Sequence, residues 1–319
     1  MTLFYCLIHF IYNQMNVLFS SDNNYAQHLG VAVCSLLHHN KWCEQIVIYV
    51  IDNQIETNNK RKLEDIVMSF ENSEMRWIPF DEWKKRLNLS MPWPISISSY
   101  ARLFLGSMLP LNVEKVLYLD CDMLVNGSLC DLWKFDMDND ILAAVQDSVP
   151  DKVKSAVGVF PIKPYFNAGL LLIDLCKWRD FDIERQCVDY INDKKGNVLH
   201  HDQGILNHVL QDHWRRLPLK YNLMTINYIF SRKRILDYYG EHSSFYDLEE
   251  FESAQKNPVI IHYTPSFTSH PWEENCAHPL RQMYWDFLEK TPWREAKIMP
   301  NSQSWKVKLI NWRYRNIPF

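Results

Sequence analysis

The chain has 319 residues, 47% of them apolar and 23% charged, with a formal net charge of −4. That balance can bury a sizeable core and excludes a globally disordered chain, and the slight acidity leaves no overall electrostatic footprint for nucleic acid. The length suits one large α/β domain, alone or with an appendage.

Residues Met1–Gln14 are apolar and carry no Lys or Arg. They lack the charged start and small-residue cleavage site of a secretory signal and are too short to span a bilayer. We expect an upstream extension or a mis-called start there. Asn16–Ser20 then reads as a short apolar strand, His28–Leu37 as a helix, and Gln45–Ile51 (QIVIYVI) as a buried, β-branched strand. Asn58–Phe70 has helical periodicity and Met75–Pro79 reads as a third strand. This alternation predicts βαβ units and a parallel sheet. The Pro-rich stretch Met91–Pro94 is expected to be a loop. Ser98–Leu109 is expected to be a helix, with Ser98 or Ser99 as N-cap and Pro110 beyond its end.

Val116–Leu119 is a wholly apolar strand that runs straight into Asp120-Cys121-Asp122. Ile141–Val145 is a further strand, ending near Asp147, and Phe166–Ile173 another. Leu175–Ile191 reads as one helix and His201–Leu210 as a shorter one. Val259–Ile261 is a late strand that ends at His262. From Ala296 to Phe319 there are five basic residues and no acidic ones. In a helix, Trp305, Leu309 and Trp312 share a face there. Such a segment suits an anionic membrane surface, and equally a helix docked on the main domain with its basic side in water.

None of the eight cysteines forms a C-x-x-C pair, so a zinc ribbon or thioredoxin-like site is not expected. Several lie in apolar runs, as reduced buried thiols do, which points to a reducing compartment. No two of the eight glycines have the spacing of G-x-G-x-x-G or of a P-loop. A bound diphosphate would therefore need another source of positive charge, and a divalent cation held by carboxylates supplies one. In extended chain, residues i and i+2 point the same way, so Asp120 and Asp122 can face one ion beyond the carboxyl end of a strand, where open α/β sheets bind ligands. Oxygen ligands suit Mg²⁺ or Mn²⁺ bridging phosphates, and His262 beside them would shift preference towards Mn²⁺. The plainer reading of His262 is a strand-end histidine bonded to backbone.

Taken together, six segments in order resemble glycosyltransferase family 8: Phe19-Ser-Ser-Asp22-Asn-Asn24-Tyr25, Ser99-Tyr100-Ala-Arg102-Leu, Val116-Leu-Tyr-Leu-Asp120-Cys-Asp122, Phe166-Asn167-Ala-Gly169, Asp202-Gln203-Gly-Ile-Leu-Asn207, and His262-Tyr263 with Pro271-Trp272. The family holds bacterial lipopolysaccharide galactosyl- and glucosyltransferases and, more distantly, glycogenin. The resemblance implies a GT-A fold: a Rossmann-like, mixed and mainly parallel sheet flanked by helices, here with a small helical C-terminal appendage. It divides the chain into residues 1–14, a catalytic domain over 15–290, and a basic aromatic tail over 291–319.

By this resemblance Asp120, Asp122 and His262 are expected to bind Mn²⁺, with Mg²⁺ as a substitute. Asp22, Asn24 and Tyr25 would hold the uracil and ribose of a UDP-hexose, although Asp22 would also serve as an N-cap. Arg102 would contact the donor; otherwise it is a helix-surface arginine. Asn167, Asp202 and Gln203 would line the hexose, and Asp147 would lie near donor sugar and acceptor. Phe166 and Gly169 are expected to serve packing. The family usually reads His-Tyr, a glycine, then Lys-Pro-Trp, with the lysine on the diphosphate. This chain has Pro265 near the glycine and His270 in place of the lysine. A neutral His270 offers one donor and no charge, so donor binding is expected to weaken as pH rises through the histidine range.

The implied activity is a retaining, metal-dependent hexosyl transfer to an oligosaccharide or glycolipid, of lipopolysaccharide or another cell-surface glycan. Gln203 stands where a double displacement would need a carboxylate, which favours a front-face transfer, with Asp202 as the reserve nucleophile. A cytoplasmic protein, peripheral on the inner face of the membrane through its tail, is the expected setting. The alternatives are a non-catalytic glycan- or nucleotide-binding protein on the same fold and a glycogenin-like self-glucosylating primer.

Overall fold

The computed structural model describes residues 14–87, 97–240, 245–301 and 303–316. The expected loop Met91–Pro94, and all of the N-terminal extension but Gln14, lie outside these residues. Strand β1 (Gln14–Asp22), helix α1 (Ala26–His39), β2 (Gln45–Asn53), α2 (Thr57–Met68) and β3 (Ser73–Pro79) form two successive parallel crossovers. They are followed by β4 (Lys115–Leu119), β5 (Met123–Val125), β6 (Leu142–Asp147), β7 (Tyr165–Asp174), α3 (His201–Val209), β8 (Trp214–Arg216), β9 (Leu223–Met224) and β10 (Ile260–His262). The main sheet runs β3-β2-β1-β4-β7-β6-β8, and only β7 is antiparallel to its neighbours. A second sheet, β5-β10-β9, stands beside it.

Helices cover both faces of the main sheet, so its central strands are apolar in succession rather than alternately. Side-chain alternation sorts them into two cores. Val17, Phe19, Ile46, Ile48, Leu117 and Leu119 pack against α1, while Leu18, Val47, Tyr49, Val116 and Tyr118 pack on the opposite side. Eleven of the fourteen residues of α1 are buried, which fits a helix apolar nearly all round.

Two expected helices differ. Ile97–Phe104 is a 3-10 helix and only Leu105–Met108 is α-helical. Ser98 is therefore inside the turn, where its carbonyl accepts from Ser20 Oγ (2.7 Å) and its hydroxyl from Asn53 Nδ2 (2.8 Å). These bonds to β1 and β2 hold the segment against the sheet edge, and apolar spacing does not separate a 3-10 turn from an α turn. The segment Leu175–Ile191 is two helices, Leu175–Asp180 and Ile183–Asp193, because Asp182 between them is left-handed (φ 52°).

The tail returns to the body before it leaves. Met299 N–H donates to the Trp272 carbonyl (2.8 Å) and Glu274 N–H to the Met299 carbonyl (2.9 Å). Beyond it, helix α4 (Trp305–Asn316) leaves Trp305 (70%), Leu309 (56%) and Trp312 (54%) exposed and buries Asn311. These three large apolar side chains are thus more than half exposed. Among the described residues no helix is long and apolar enough to cross a membrane.

Candidate active site

The carboxyl ends of β1, β2, β4 and β6, with the start of antiparallel β7, meet along one edge of the sheet. Asp22, Asp120 and Asp147 lie there, and β7 sends Asn167 to the same edge. After Leu119 the chain turns at Cys121 and Asp122 instead of staying extended. The two carboxylates converge all the same, because β5 pairs with β10 and sets Met123 opposite His262. Tyr263 N–H then donates to the Asp122 carbonyl (2.9 Å).

Asp120, Asp122 and His262 each present a ligand atom within 4.8 Å of the others. His262 Nε2 lies 3.2 Å from Asp122 Oδ1. Its Nδ1 is 2.9 Å from Asn222 Oδ1, an oxygen that can only accept, so Nδ1 carries a proton and Nε2 is the nitrogen that faces the cluster, donating to Asp122 when protonated and free to ligate a cation when not. Asn222 is oriented in turn by donating Nδ2 to Asn167 Oδ1 (2.9 Å). Burial alone would raise the Asp122 carboxyl, but His262 and then His270 outweigh it and hold it down at about 2. Burial raises Asp120 in spite of Arg102 beside it. Burial lowers His262, and the two aspartates more than reverse this. A divalent cation offsets the crowding of like charges in such a cluster.

Gly169 shows how closely the cluster is shaped. A Cβ there would stand 2.5 Å from His262 Cε1 and 2.9 Å from both Asp120 Oδ2 and Asn167 Oδ1. The close packing of these side chains around the buried Gly169 leaves no room for a Cβ. Phe166 does pack, edge-on against Trp214 at 5.2 Å.

Arg102 is not on a helix surface. It is 4% exposed, with its guanidinium 4.3 Å from the Tyr118 ring. Nη2 donates to Asp120 Oδ1 (2.6 Å), Nε lies 3.0 Å from Asp202 Oδ2, and Nη1 donates to the Ala168 carbonyl. It joins Asp120 to Asp202 across three elements.

The second half of the site centres on Gln203. Its Oε1 accepts from Ala168 N–H (3.0 Å) and Asn167 Nδ2 (3.3 Å), and its Nε2 donates to Asp147 Oδ2 (3.0 Å). Asn167 Nδ2 also reaches Asp147 Oδ2 (3.2 Å). Asn167, Asp147 and Gln203 are thus bonded to one another, while Asp202, next to Gln203 in the chain, pairs with Arg102.

On the other flank a cleft of about 480 Å³ is lined by Asp22, Tyr25, Ser98, Ser99, Arg102, Asp120, Asp122 and His270, among others. Asp22 caps the following turn, accepting from Asn24 N–H (3.0 Å) and Tyr25 N–H (3.2 Å). Asn24 is exposed and does not line the cleft. His270 Nε2 lies 4.0 Å from Asp122 Oδ2. Trp272 is sandwiched between His270 (centroids 4.5 Å, 10°) and His28 (3.6 Å, 19°). Buried Glu273 accepts from His270 N–H (3.1 Å). Asn222, His28 and Glu273 were not singled out from the sequence. An asparagine just before a two-residue strand carries no motif, and only the pairing of β9 with β10 makes Asn222 a neighbour of His262.

The model of the family described as glycosyl transferase family 8 matches residues 16–276. General stress protein A of Bacillus subtilis is 28% identical over 283 residues, covering 88% of this chain and 94% of its own. Lipopolysaccharide 1,2-glucosyltransferase of Escherichia coli is 25% identical over 313 residues, covering 94% and 87% respectively. A crystal structure of the galactosyltransferase LgtC with donor and acceptor sugar analogues superposes with a TM-score of 0.71 at 27% identity, over 87% of this chain and 96% of the other.

Proposed function

The chain belongs to glycosyl transferase family 8, and from that premise we propose that it moves galactose or glucose from a UDP-sugar to a saccharide acceptor with retention of anomeric configuration. The observation that carries this reading is the meeting of two carboxylates and a tautomer-fixed imidazole at the carboxyl edge of the sheet. Asp120, Asp122 and His262 would hold Mn²⁺, or Mg²⁺ in its place. When bound, the cation offsets the charge that grows on the leaving diphosphate.

The side chains around it do the orienting, which can remove a large part of the barrier. Asp22 and Tyr25 flank the cleft where uracil and ribose would lie. His270 stands beside Asp122, where a diphosphate would pass. Arg102 acts on the donor through Asp120 and Asp202. Asn167 and Asp202 would line the hexose, and Asp147 would meet donor sugar and acceptor. Gln203 is an amide and a poor nucleophile, and Asp202 is tied to Arg102. Both facts favour attack from the leaving-group face over a covalent intermediate. An oxygen of the departing UDP would take the proton of the acceptor hydroxyl.

We assign this chemistry to residues 15–290. The exposed Trp305, Leu309 and Trp312 with Lys306, Lys308 and Arg313 support contact of α4 with an anionic membrane, and the name of the E. coli relative supports a lipopolysaccharide-type acceptor. Co-sedimentation with phosphatidylglycerol vesicles, lost in Trp305→Ala/Trp312→Ala, is the expected behaviour of the tail.

The test of function is UDP release from a panel of UDP-sugars with Mn²⁺, followed by NMR of the product linkage. We expect release from UDP-galactose or UDP-glucose, its loss on chelation, and an α-linked product. Hexose found on the chain itself by mass spectrometry would favour a self-glucosylating primer. Donor binding without turnover on any acceptor would favour a non-catalytic protein.

A further inference from the structure

The helix that carries Asp202 and Gln203 begins in an unusual way. His200 (φ 57°) and His201 (φ 52°) are consecutive residues in the left-handed region, which L side chains with a Cβ rarely occupy. Each imidazole is fastened to a tyrosine of a different element. His200 Nδ1 lies 3.3 Å from the hydroxyl of Tyr165, the first residue of β7. His201 Nδ1 lies 3.2 Å from the hydroxyl of Tyr100, in the 3-10 helix that also carries Arg102.

The reversed backbone has a close consequence. It folds Leu199 over the first turn of α3, so that a Cβ on Gly204 would stand 2.1 Å from the Leu199 carbonyl oxygen. Gly204 N–H donates to the His200 carbonyl (3.0 Å). The knuckle therefore admits only glycine at 204, and it sets the direction in which the next two side chains leave the backbone. Those side chains are Asp202, 3.0 Å from Arg102, and Gln203, bonded to Ala168 N–H and Asp147.

We propose that His200 and His201 are positioning residues: a left-handed pair, each held by a tyrosine hydroxyl, that fixes where Asp202 and Gln203 stand. This rests on the reading that Gln203 faces the donor hexose. Strained backbone persists only where its surroundings over-determine it, and the two tyrosines are the surroundings that do so here. Neither histidine needs to touch substrate.

The experiment uses the full chain and the variants Tyr100→Phe, Tyr165→Phe, Tyr165→Phe/His200→Gly, His201→Gly and His201→Val. Three quantities are measured: kcat and KM for the UDP-hexose, the Kd of UDP with Mn²⁺, and hydrogen exchange over residues 199–204. Each Tyr→Phe change is expected to lower kcat about tenfold, as a misplaced reacting group does, and to speed exchange at the Gly204 amide, with the UDP–Mn²⁺ Kd unchanged. Adding His200→Gly to Tyr165→Phe should restore most of kcat, because glycine takes the left-handed backbone without a clamp. His201→Val should lose more than His201→Gly, although both remove the same imidazole. Wild-type kcat in both Tyr→Phe variants, or equal loss in the Gly and Val variants, would overturn the proposal. A wild-type chain that binds UDP with Mn²⁺ but turns over no UDP-hexose would sink the proposed function instead. The exchange measurement then still decides, since unchanged protection in both Tyr→Phe variants rejects the clamps.

Discussion

Gly169 and Asn222 show how much of the chemistry rests on residues with no reactive group. A methyl at 169 would push on His262, Asp120 and Asn167 together. Because reacting groups misplaced by about 1 Å cost on the order of 100-fold in rate, Gly169→Ala is expected to lower kcat/KM by about that factor and, as overpacking of a buried position does, to cost about 1–3 kcal/mol of stability. Kinetics and thermal melts on the same preparation check this. Asn222 fixes which nitrogen of His262 carries the proton. Residues that orient a metal ligand are worth roughly 10- to 100-fold in metal affinity, so Asn222→Ala should weaken Mn²⁺ binding by that much in a titration followed by electron paramagnetic resonance. The cluster itself was legible in the sequence, since Asp120-Cys121-Asp122 follows an apolar strand and His262 ends another. Asn222 and the close packing at Gly169 were not, because both depend on which strands lie side by side. Gly169 was expected to serve packing, and the neighbours it packs against are those of the cluster.

At the scale of elements, the 3-10 helix Ile97–Phe104 connects the two halves of the site through Arg102. Its guanidinium binds Asp120, Asp202 and the Ala168 carbonyl while stacked over Tyr118. Removing one partner of a buried ion network leaves charge without compensation, at about 3 kcal/mol. Arg102→Ala should therefore lower the urea midpoint as well as activity. Arg102→Lys should recover little of the activity, since an ammonium cannot reproduce the fork. Recovery of wild-type kcat by the lysine variant would contradict this role. The six longest strands and α1, α2 and α3 were readable from periodicity. The break at Asp182 was not, because apolar spacing continues across it from Leu175 to Ile191. Strands β5 and β9 have three and two residues, too few for any period to show.

At the scale of the whole molecule, the β-bridge of Met299 to Glu273 braces the segment that carries His270, Trp272 and Glu273 beside the cleft. Truncation after residue 297 is expected to raise the KM for donor several-fold and to abolish vesicle binding, with the body still folded; an unchanged KM would separate the tail from the cleft. Stability should also depend on pH in a definite direction. Burial holds His28 down at about 3 and His278 down at about 4. In the unfolded chain both return to the ordinary value of 6.5, so between these limits the unfolded state binds more protons. Their contribution to stability is whole above about pH 6.5 and is lost as pH falls towards 4, at up to about 1.4 kcal/mol per pH unit for each histidine. Urea midpoints at pH 7 and pH 5 should differ accordingly, and His278→Leu should narrow the gap. The cation site itself is read by anomalous scattering at the manganese edge from crystals grown with UDP and Mn²⁺. One peak is expected within coordinating distance of Asp120, Asp122 and His262, against the diphosphate of UDP. A peak elsewhere with UDP bound, or UDP bound with those three side chains turned apart, would contradict that expectation.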